Sequence, residues 1–427
     1  METNKLKILY GSSGYNLNLR PNWKPNIIKK TNMPLIKNIK SKINEIFKYP
    51  INCGSIKNLS KNKKSVCILV CDITRPVPNH LFIENLIRKL IQNGIKKESI
   101  LILIATGLHR PASKKEIKQI IRSNWVLNKI KISNHYARDH KMHIKVGITS
   151  KGNVIKLDKR FLNADLKIVS GLVEPHFMAG YSGGRKVIAP GIAHVKTIST
   201  FHSAKYMENP FSKSCNLKNN PLHEDQIEIV KMLGKVYSIN CVIDENRELS
   251  FINFGEIIKS HNEAVNFISK YATIKCNKKY DTIITSAAGA PLDGNFYQTI
   301  KGMVTPLEIL NKGGDLIIIS KCQEGIGSDE FKDSQKALLK FGTDQFLKNI
   351  LNKKYADVDE WQTEMEIKSL KKGNIFLYSE GLTKKEKELT GVNIVTNVGN
   401  KIDESIKKHN NPNIAIIPEG PYVIPKI

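Results

Sequence analysis

The sequence lacks a CxxC pair, an HExxH motif and any Cys/His grouping at metal-ligand spacing, so the residues by themselves offer no protein-only metal cage. No window approaches the roughly 20 apolar residues of a membrane helix, and Met1 to Tyr10 has no apolar signal core. A soluble cytoplasmic protein without a membrane partner is the expectation. Cysteines are few: Cys53, Cys67, Cys71, Cys215, Cys241, Cys276 and Cys322, an odd set that reads as reduced thiols. Cys67 and Cys71 bracket an apolar run and read as small core residues, because four residues of strand span too far for a metal clip.

Acidic residues are also scarce, 39 Asp+Glu against 67 Lys+Arg, for a formal charge of +28. The excess invites a nucleic-acid reading, but the lysines are scattered among Ile and Asn, as in Lys61-Asn62-Lys63-Lys64 and Asn277-Lys278-Lys279. Few aromatics are interleaved to stack on bases. No nucleic-acid partner is expected, and the charge reads as solvated faces that still attract carboxylates.

What is present is an alternation of short apolar runs with helical patterns. Strands are predicted over Ser65–Ile73, Ser99–Ala105 and Asp165–Val173, and helices over Asn79–Asn93 and Lys114–Val126. The first helix carries its apolar stripe on Leu81, Ile83, Leu86, Ile87, Leu90 and Ile91, with Asn79 as N-cap and Gly94 as stop. After Lys275 strands are predicted at Thr282–Ser286, Asp315–Ser320, Asn374–Tyr378, Val392–Val398 and Asn413–Ile417, with helices at Met303–Asn311 and Ser334–Lys340. The order predicts an α/β fold with mainly parallel sheets. A chain of 427 residues exceeds one ordinary core; the division expected is 1–272 and 273–427, with the joint in the polar stretch Lys270 to Tyr280.

Three of the predicted strands run into chemically rich segments: Asp72-Ile73-Thr74-Arg75-Pro76, then Thr106-Gly107-Leu108-His109-Arg110-Pro111, then Glu174-Pro175-His176 continuing through Gly180-Tyr181-Ser182-Gly183-Gly184-Arg185-Lys186. The carboxyl ends of parallel strands border the ligand crevice, so the three should converge. Arg75 reads either as a bidentate carboxylate or phosphate clamp, with Asp72 orienting it or a ligand hydroxyl, or as half of an Asp–Arg pair pinning a turn. His109 and His176 read as acid and base on opposite sides of a carbon, or each as a structural imidazole. Gly180, Gly183 and Gly184 would admit a close ligand, and Arg185 and Lys186 add positive charge. The loop is neither a Walker A motif nor GxGxxG. A lysine among glycines and apolar residues should have a lowered pKa, which suits covalent attachment of a carbonyl group. His140 and His143 read as solvated surface. In the second half, Gln298 and Lys301 share a helix face, as closers over an anionic substrate or as an exposed first turn.

Together, Asp72 through Pro78, Thr106 through Pro111, Glu174 through Gly191, His202 and Asn295 to Lys301 resemble the nickel-dependent lactate racemase family. The resemblance implies two α/β domains with an interdomain active-site cleft, the first anchoring the cofactor and the second closing over it. It implies a nickel-pincer nucleotide, pyridinium-3,5-bisthiocarboxylic acid mononucleotide, attached covalently to Lys186, with His202 as a nickel ligand. Asp72, Ile73, Thr74 and Arg75 would contact the cofactor; Arg75, Gln298, Lys301 and Trp361 would bind substrate. The implied reaction is racemisation of lactate by reversible Cα hydride transfer through a 2-keto acid, with His109 and His176 as acid and base. A carboxylase, a sulfur transferase and a nickel insertase would be partners that make the cofactor. The alternatives are a racemase or epimerase of another 2-hydroxy acid, malate-like, aromatic or sugar-derived, and a non-catalytic binding homologue.

Overall fold

A computed structural model describes residues 5–244 and 246–427. The chain forms two compact units: one comprises Asn32–Phe201 and Asn216–Lys270, the other the described residues up to Thr31, His202–Cys215 and Tyr271–Ile427. The units differ from a contiguous split at 272/273 in two segments, the N-terminal strands and residues 202–215. The reason is strand pairing: Lys24–Ile27 lies parallel beside Asn413–Ile417 as the edge of the C-terminal sheet.

Each unit is built on a six-stranded sheet. In the first, the order is Leu249–Glu256, Tyr237–Ile243, Leu166–Leu172, Val66–Cys71, Ile100–Ala105, Lys131–Asn134. All neighbours are parallel except the terminal hairpin Tyr237–Ile243 with Leu249–Glu256. The apolar runs form strands because both sheet faces are covered: Ile68, Leu69, Val70, Ile102, Leu103, Ile104, Ile168 and Val169 are buried. From Val66–Cys71 the chain winds outward in one direction and then returns to place Leu166–Leu172 on the other side of the first strand. That reversal is the topological switch point, where an open sheet leaves a crevice at its carboxyl edge.

The second sheet, entirely parallel, runs Asn393–Ile394, Asn374–Tyr378, Leu310–Ile319, Tyr280–Ser286, Asn413–Ile417, Lys24–Ile27. Its switch point falls at Tyr280–Ser286, from whose end the chain leads to the helix Phe296–Val304.

Several predicted elements change at their ends. Asn79 does not cap the helix Ile83–Gln92; its amide is buried, donating to the Ile120 carbonyl at 3.2 Å and accepting from the Ser170 hydroxyl at 2.8 Å. The pattern at Lys114–Val126 breaks at Arg122, which turns left-handed at φ 49, and Ser123 caps a separate helix Asn124–Lys129. The helix expected at Met303–Asn311 ends at Val304; a 3-10 turn Thr305–Glu308 with Pro306 in its first turn then feeds the strand Leu310–Ile319. The strand expected over Val392–Val398 shrinks to Asn393–Ile394, since Asn397 caps the helix Val398–His409. Among the described residues, no helix is long and apolar enough to cross a membrane.

Candidate active site

At the switch point of the first unit, Asp72 leaves the strand Val66–Cys71 only 6% exposed. Its Oδ1 accepts from the Thr74 amide at 3.2 Å and the Thr74 hydroxyl at 2.6 Å, and its Oδ2 lies 2.6 Å from Nδ1 of His109. Burial pushes the Asp72 pKa up, but the His109 charge and hydrogen bond, with Thr74 and Arg75, hold it below the usual carboxylate value. Asp72 is therefore ionised. In the neutral ring of His109 the proton sits on Nδ1, donated to Asp72, and Nε2 is the basic nitrogen. Asp72 pairs with His109, and Arg75 places Nε 3.4 Å from Glu174 Oε1.

The third segment starts from the end of Leu166–Leu172. Pro175–His176 pairs antiparallel with Gly180–Tyr181, and Ser182 pins the loop by donating its hydroxyl to the Leu172 carbonyl at 2.7 Å. Within this hairpin, His176 Nδ1 accepts from the Met178 and Ala179 amides at 3.4 and 3.2 Å, and its ring stacks on Phe177 at 4.7 Å. The proton of this neutral imidazole therefore resides on Nε2, the opposite tautomer from His109. Gly183 and Gly184, at φ 74 and 46, are crowded by protein and not by open space: an added Cβ would stand 2.7 Å from Val173 and 2.8 Å from His261.

Lys186 follows in the short helix Arg185–Ile188, its amide bonded to the Gly183 carbonyl at 3.0 Å. Burial first, then the Arg75 and Arg185 charges, pushes its ammonium pKa down to about 7. Asp72, Thr74, Arg75, His109 and Lys186 thus gather at one sheet edge with Glu174, which the motif reading had not singled out. Ile73 instead packs on the hydrophobic core. The sequence signal for Glu174 was present, a carboxylate one residue past the strand end, but nothing there showed that Arg75 would be its partner.

In the second unit, Asn295 caps the helix Phe296–Val304 by accepting from the Gln298 amide at 3.0 Å. Lys301 donates its ammonium to the Gln298 carbonyl oxygen, so the amide NH2 and the ammonium form a donor set suited to a carboxylate. His202 lies against Trp361, ring centroids 4.4 Å apart, and Trp361 Nε1 donates to the Tyr297 hydroxyl at 2.8 Å. Tyr297, which the sequence reading passed over, thereby ties the Trp361 ring to the helix that carries Gln298. His140 is not paired with His143: its Nδ1 stands 2.6 Å from Nε2 of His194, while His143 Nδ1 donates to the Asp139 carbonyl at 2.7 Å. Among the described residues no group of three or more His, Cys, Asp or Glu side chains is placed to hold a metal.

A two-unit α/β architecture with a buried Asp72–His109 pair and a buried lysine of lowered pKa at one switch point defines an enzyme of the α/β class. The comparisons give that class its family. The lactate racemase N-terminal domain matches residues 10–214 and the lactate racemase C-terminal domain residues 275–425. The lactate racemase of Thermoanaerobacterium thermosaccharolyticum is 31% identical over 387 residues, 88% of each chain, and that of Lactiplantibacillus plantarum 33% identical over 283 residues, 66% of each. The solved structure of the T. thermosaccharolyticum lactate racemase apoprotein superposes with a TM-score of 0.90 at 28% identity, covering 99% of this chain and 100% of that one. The chain belongs to the lactate racemase family, and it is an isomerase.

Proposed function

We propose that this protein interconverts the enantiomers of lactate with a nickel-pincer nucleotide held on Lys186. The observation that carries the reading is the His109–Asp72 pair at the same strand edge as the buried Lys186, whose pKa burial lowers to about 7. The residues fit the implied group: a lysine amine stripped of its proton is the nucleophile that attachment of an acyl group requires, Arg75 and Arg185 are fixed cations around it, and His202 offers an imidazole nitrogen of the type nickel accepts. Held by Lys186 and His202, the cofactor would supply reversible hydride acceptance at the substrate Cα.

The protein's own residues supply the rest. Gln298 and Lys301 hold the substrate carboxylate through charge-assisted hydrogen bonds. His109 Nε2 takes the hydroxyl proton of one enantiomer, and Asp72 stabilises the imidazolium that results. His176, with its proton on Nε2, is a hydrogen-bond donor to the substrate oxygen; to act as base toward the other enantiomer that proton must shift to Nδ1, which frees Nε2 and releases the Met178 and Ala179 amides. Separate carboxylase, sulfur-transferase and nickel-inserting proteins supply the cofactor, and the seven cysteines, none in a disulfide among the described residues, suit a reducing cytoplasm.

The test is intact mass and nickel content of protein from a cofactor-making strain, followed by racemisation assays on D- and L-lactate. An adduct on Lys186, about one nickel per chain and loss of optical activity are expected. Absence of both adduct and nickel under conditions that load a known racemase would sink the reading.

A further inference from the structure

In the second unit the chain reverses beside Tyr280–Ser286, so a crevice is expected between the carboxyl ends of that strand and Asn413–Ile417. The turn between the first two strands, Lys5–Ile8 and Tyr15–Asn18, lies across this edge. The Leu9 amide donates to the Pro418 carbonyl at 3.0 Å. Gly11, left-handed at φ 50, commits both of its backbone groups to the loop that leaves Tyr280–Ser286: its amide donates to Asp293 Oδ2 at 2.6 Å, and its carbonyl accepts from the Ala290 amide at 2.8 Å. The approach is so close that a Cβ on Gly289 would stand 3.0 Å from the Gly11 carbonyl oxygen.

Asp293 is where these contacts meet. It is 2% exposed, and the Oδ2 that accepts from Gly11 also accepts from the Lys321 amide at 3.2 Å. Its own carbonyl accepts from the Cys322 amide at 2.8 Å, and its amide donates to the Gly289 carbonyl at 3.0 Å. One carboxyl oxygen thus joins a loop to a turn 282 positions away in the chain and to the segment that follows Leu310–Ile319. The backbone on either side is strained, Ala288 at φ 70 and Cys322 at φ 52. Residues other than glycine hold such conformations where the surroundings over-determine them, as they do at ligand clamps.

The helix Phe296–Val304 starts directly after Asp293. The Glu324 amide donates to the Gly294 carbonyl at 2.7 Å, and the Phe296 and Tyr297 amides donate to the Gly325 and Ile326 carbonyls, each at 3.0 Å. The head of the helix is therefore fastened to the same segment, 321–326, that Asp293 fixes through Lys321 and Cys322, and Gln298 and Lys301 sit on its first two turns. Loss of the Asp293 carboxyl leaves two amides from separate parts of the chain unpaired at this point, and buried donors without acceptors force the backbone to move. We propose that Asp293, by tying the N-terminal turn and the segment after Leu310–Ile319 to the head of this helix, is a positioning residue that sets the geometry of the Gln298–Lys301 pair. The proposal rests on the reading that this pair holds the substrate carboxylate.

Amide hydrogen exchange with mass spectrometry on the full-length apoprotein reads the bracing without the cofactor. Asp293→Ala and Gly11→Pro should each speed exchange about tenfold in peptides covering 294–302 and leave those covering 166–172 as in the parent. Asp293→Asn, whose amide oxygen can accept both bonds, should stay within about twofold of the parent. Loaded enzyme from a cofactor-making strain is then assayed on lactate. Asp293→Ala and Gly11→Pro should raise KM about tenfold with a smaller fall in kcat, nickel content and the Lys186 adduct unchanged, and Asp293→Asn should restore KM. In a Lys301→Ala background Asp293→Ala should raise KM by less than about threefold more, because the group it positions is gone. Unaltered exchange over 294–302 in a folded Asp293→Ala, or a loss confined to Tm and kcat with KM unmoved, would overturn the proposal. Gly11→Pro removes the partner amide and leaves Asp293 in place, so it answers the same question if Asp293→Ala does not fold. Exchange that moves as expected while Lys301→Ala itself leaves KM unchanged would instead count against the proposed function alone.

Discussion

Nδ1 of His109 lies 2.6 Å from Oδ2 of Asp72, and that contact decides which imidazole nitrogen is basic. His176 receives backbone amides on the same ring atom. Two histidines that look equivalent in the sequence therefore use Nδ1 in opposite senses, one beside a carboxylate and one accepting backbone amides.

Asp72→Asn should keep the hydrogen bonds to Thr74 while removing the charge that stabilises the His109 imidazolium. A fall in kcat of about 10²- to 10⁴-fold is expected, with the Lys186 adduct still visible by intact mass. Because His176 is braced differently, the loss should be unequal for the two enantiomers, which initial rates from D- and L-lactate would reveal. Equal losses of under tenfold would remove Asp72 from the acid/base role.

Lys301→Ala deletes the ammonium that Gln298 orients, and charge-assisted hydrogen bonds contribute roughly 1.5–3 kcal/mol. KM should rise on the order of 10- to 100-fold, with nickel content unaltered. His202→Ala should do the reverse, stripping nickel while the Lys186 adduct persists. Metal analysis paired with intact mass separates the two, and retained nickel in His202→Ala would exclude that imidazole as a ligand.

Acid should destabilise the first unit through its buried imidazoles. His194, pushed down to about 4 by burial and then by His143 and His140, and His223, pushed down to about 3 by burial and then by Arg185, are neutral in the fold. The unfolded chain takes up protons from about pH 6.5, so stability is present above that pH and is lost as pH falls toward 4. The slope is up to about 1.4 kcal/mol per pH unit for each group. Urea melts between pH 7.5 and 4.5 should show it, and His223→Asn should flatten it; an identical slope in that variant would contradict the assignment.

Glu366 titrates in the opposite sense. It is fully buried, accepts from Gln335 Nε2 at 2.6 Å, and burial raises its pKa to about 8. The fold holds it protonated, so stability is present below about pH 4.5 and is lost as pH rises through 8. Glu366→Gln should preserve the Gln335 hydrogen bond and stabilise the protein at pH 8.5 by on the order of 1–3 kcal/mol, with little effect at pH 4.5. A lower Tm at pH 8.5 would show that the carboxyl is ionised after all.

Strands with both faces covered announce themselves as near-continuous apolar runs, which is why Val66–Cys71, Ile100–Ala105 and Leu166–Leu172 were legible, together with the polar segments leaving their carboxyl ends. The helix Glu360–Lys372 was not. It is rich in charged and polar residues, yet Gln362, Thr363, Glu364, Glu366 and Ser369 are all buried, so it carries no apolar stripe to betray it. Leu310–Ile319 was read only in its second half, because Asn311, Lys312 and two glycines mask the start of the strand. The antiparallel hairpin Tyr237–Ile243 with Leu249–Glu256 went unseen because nothing in a βαβα rhythm anticipates it.

By itself the sequence determined the α/β class, the segments that meet at the first switch point and the lysine and histidines proposed to carry the chemistry, since periodicity and residue type are local properties. Tertiary structure decided what depends on residues far apart in the chain. It gave the N-terminal strand to the C-terminal sheet through hydrogen bonds between Lys24–Ile27 and Asn413–Ile417. It paired Arg75 with Glu174 and Asp72 with His109, and it brought Arg185 against His223 and His261. Charge, tautomer and proton affinity are set by such neighbours in a low-dielectric interior, and only the folded chain supplies them.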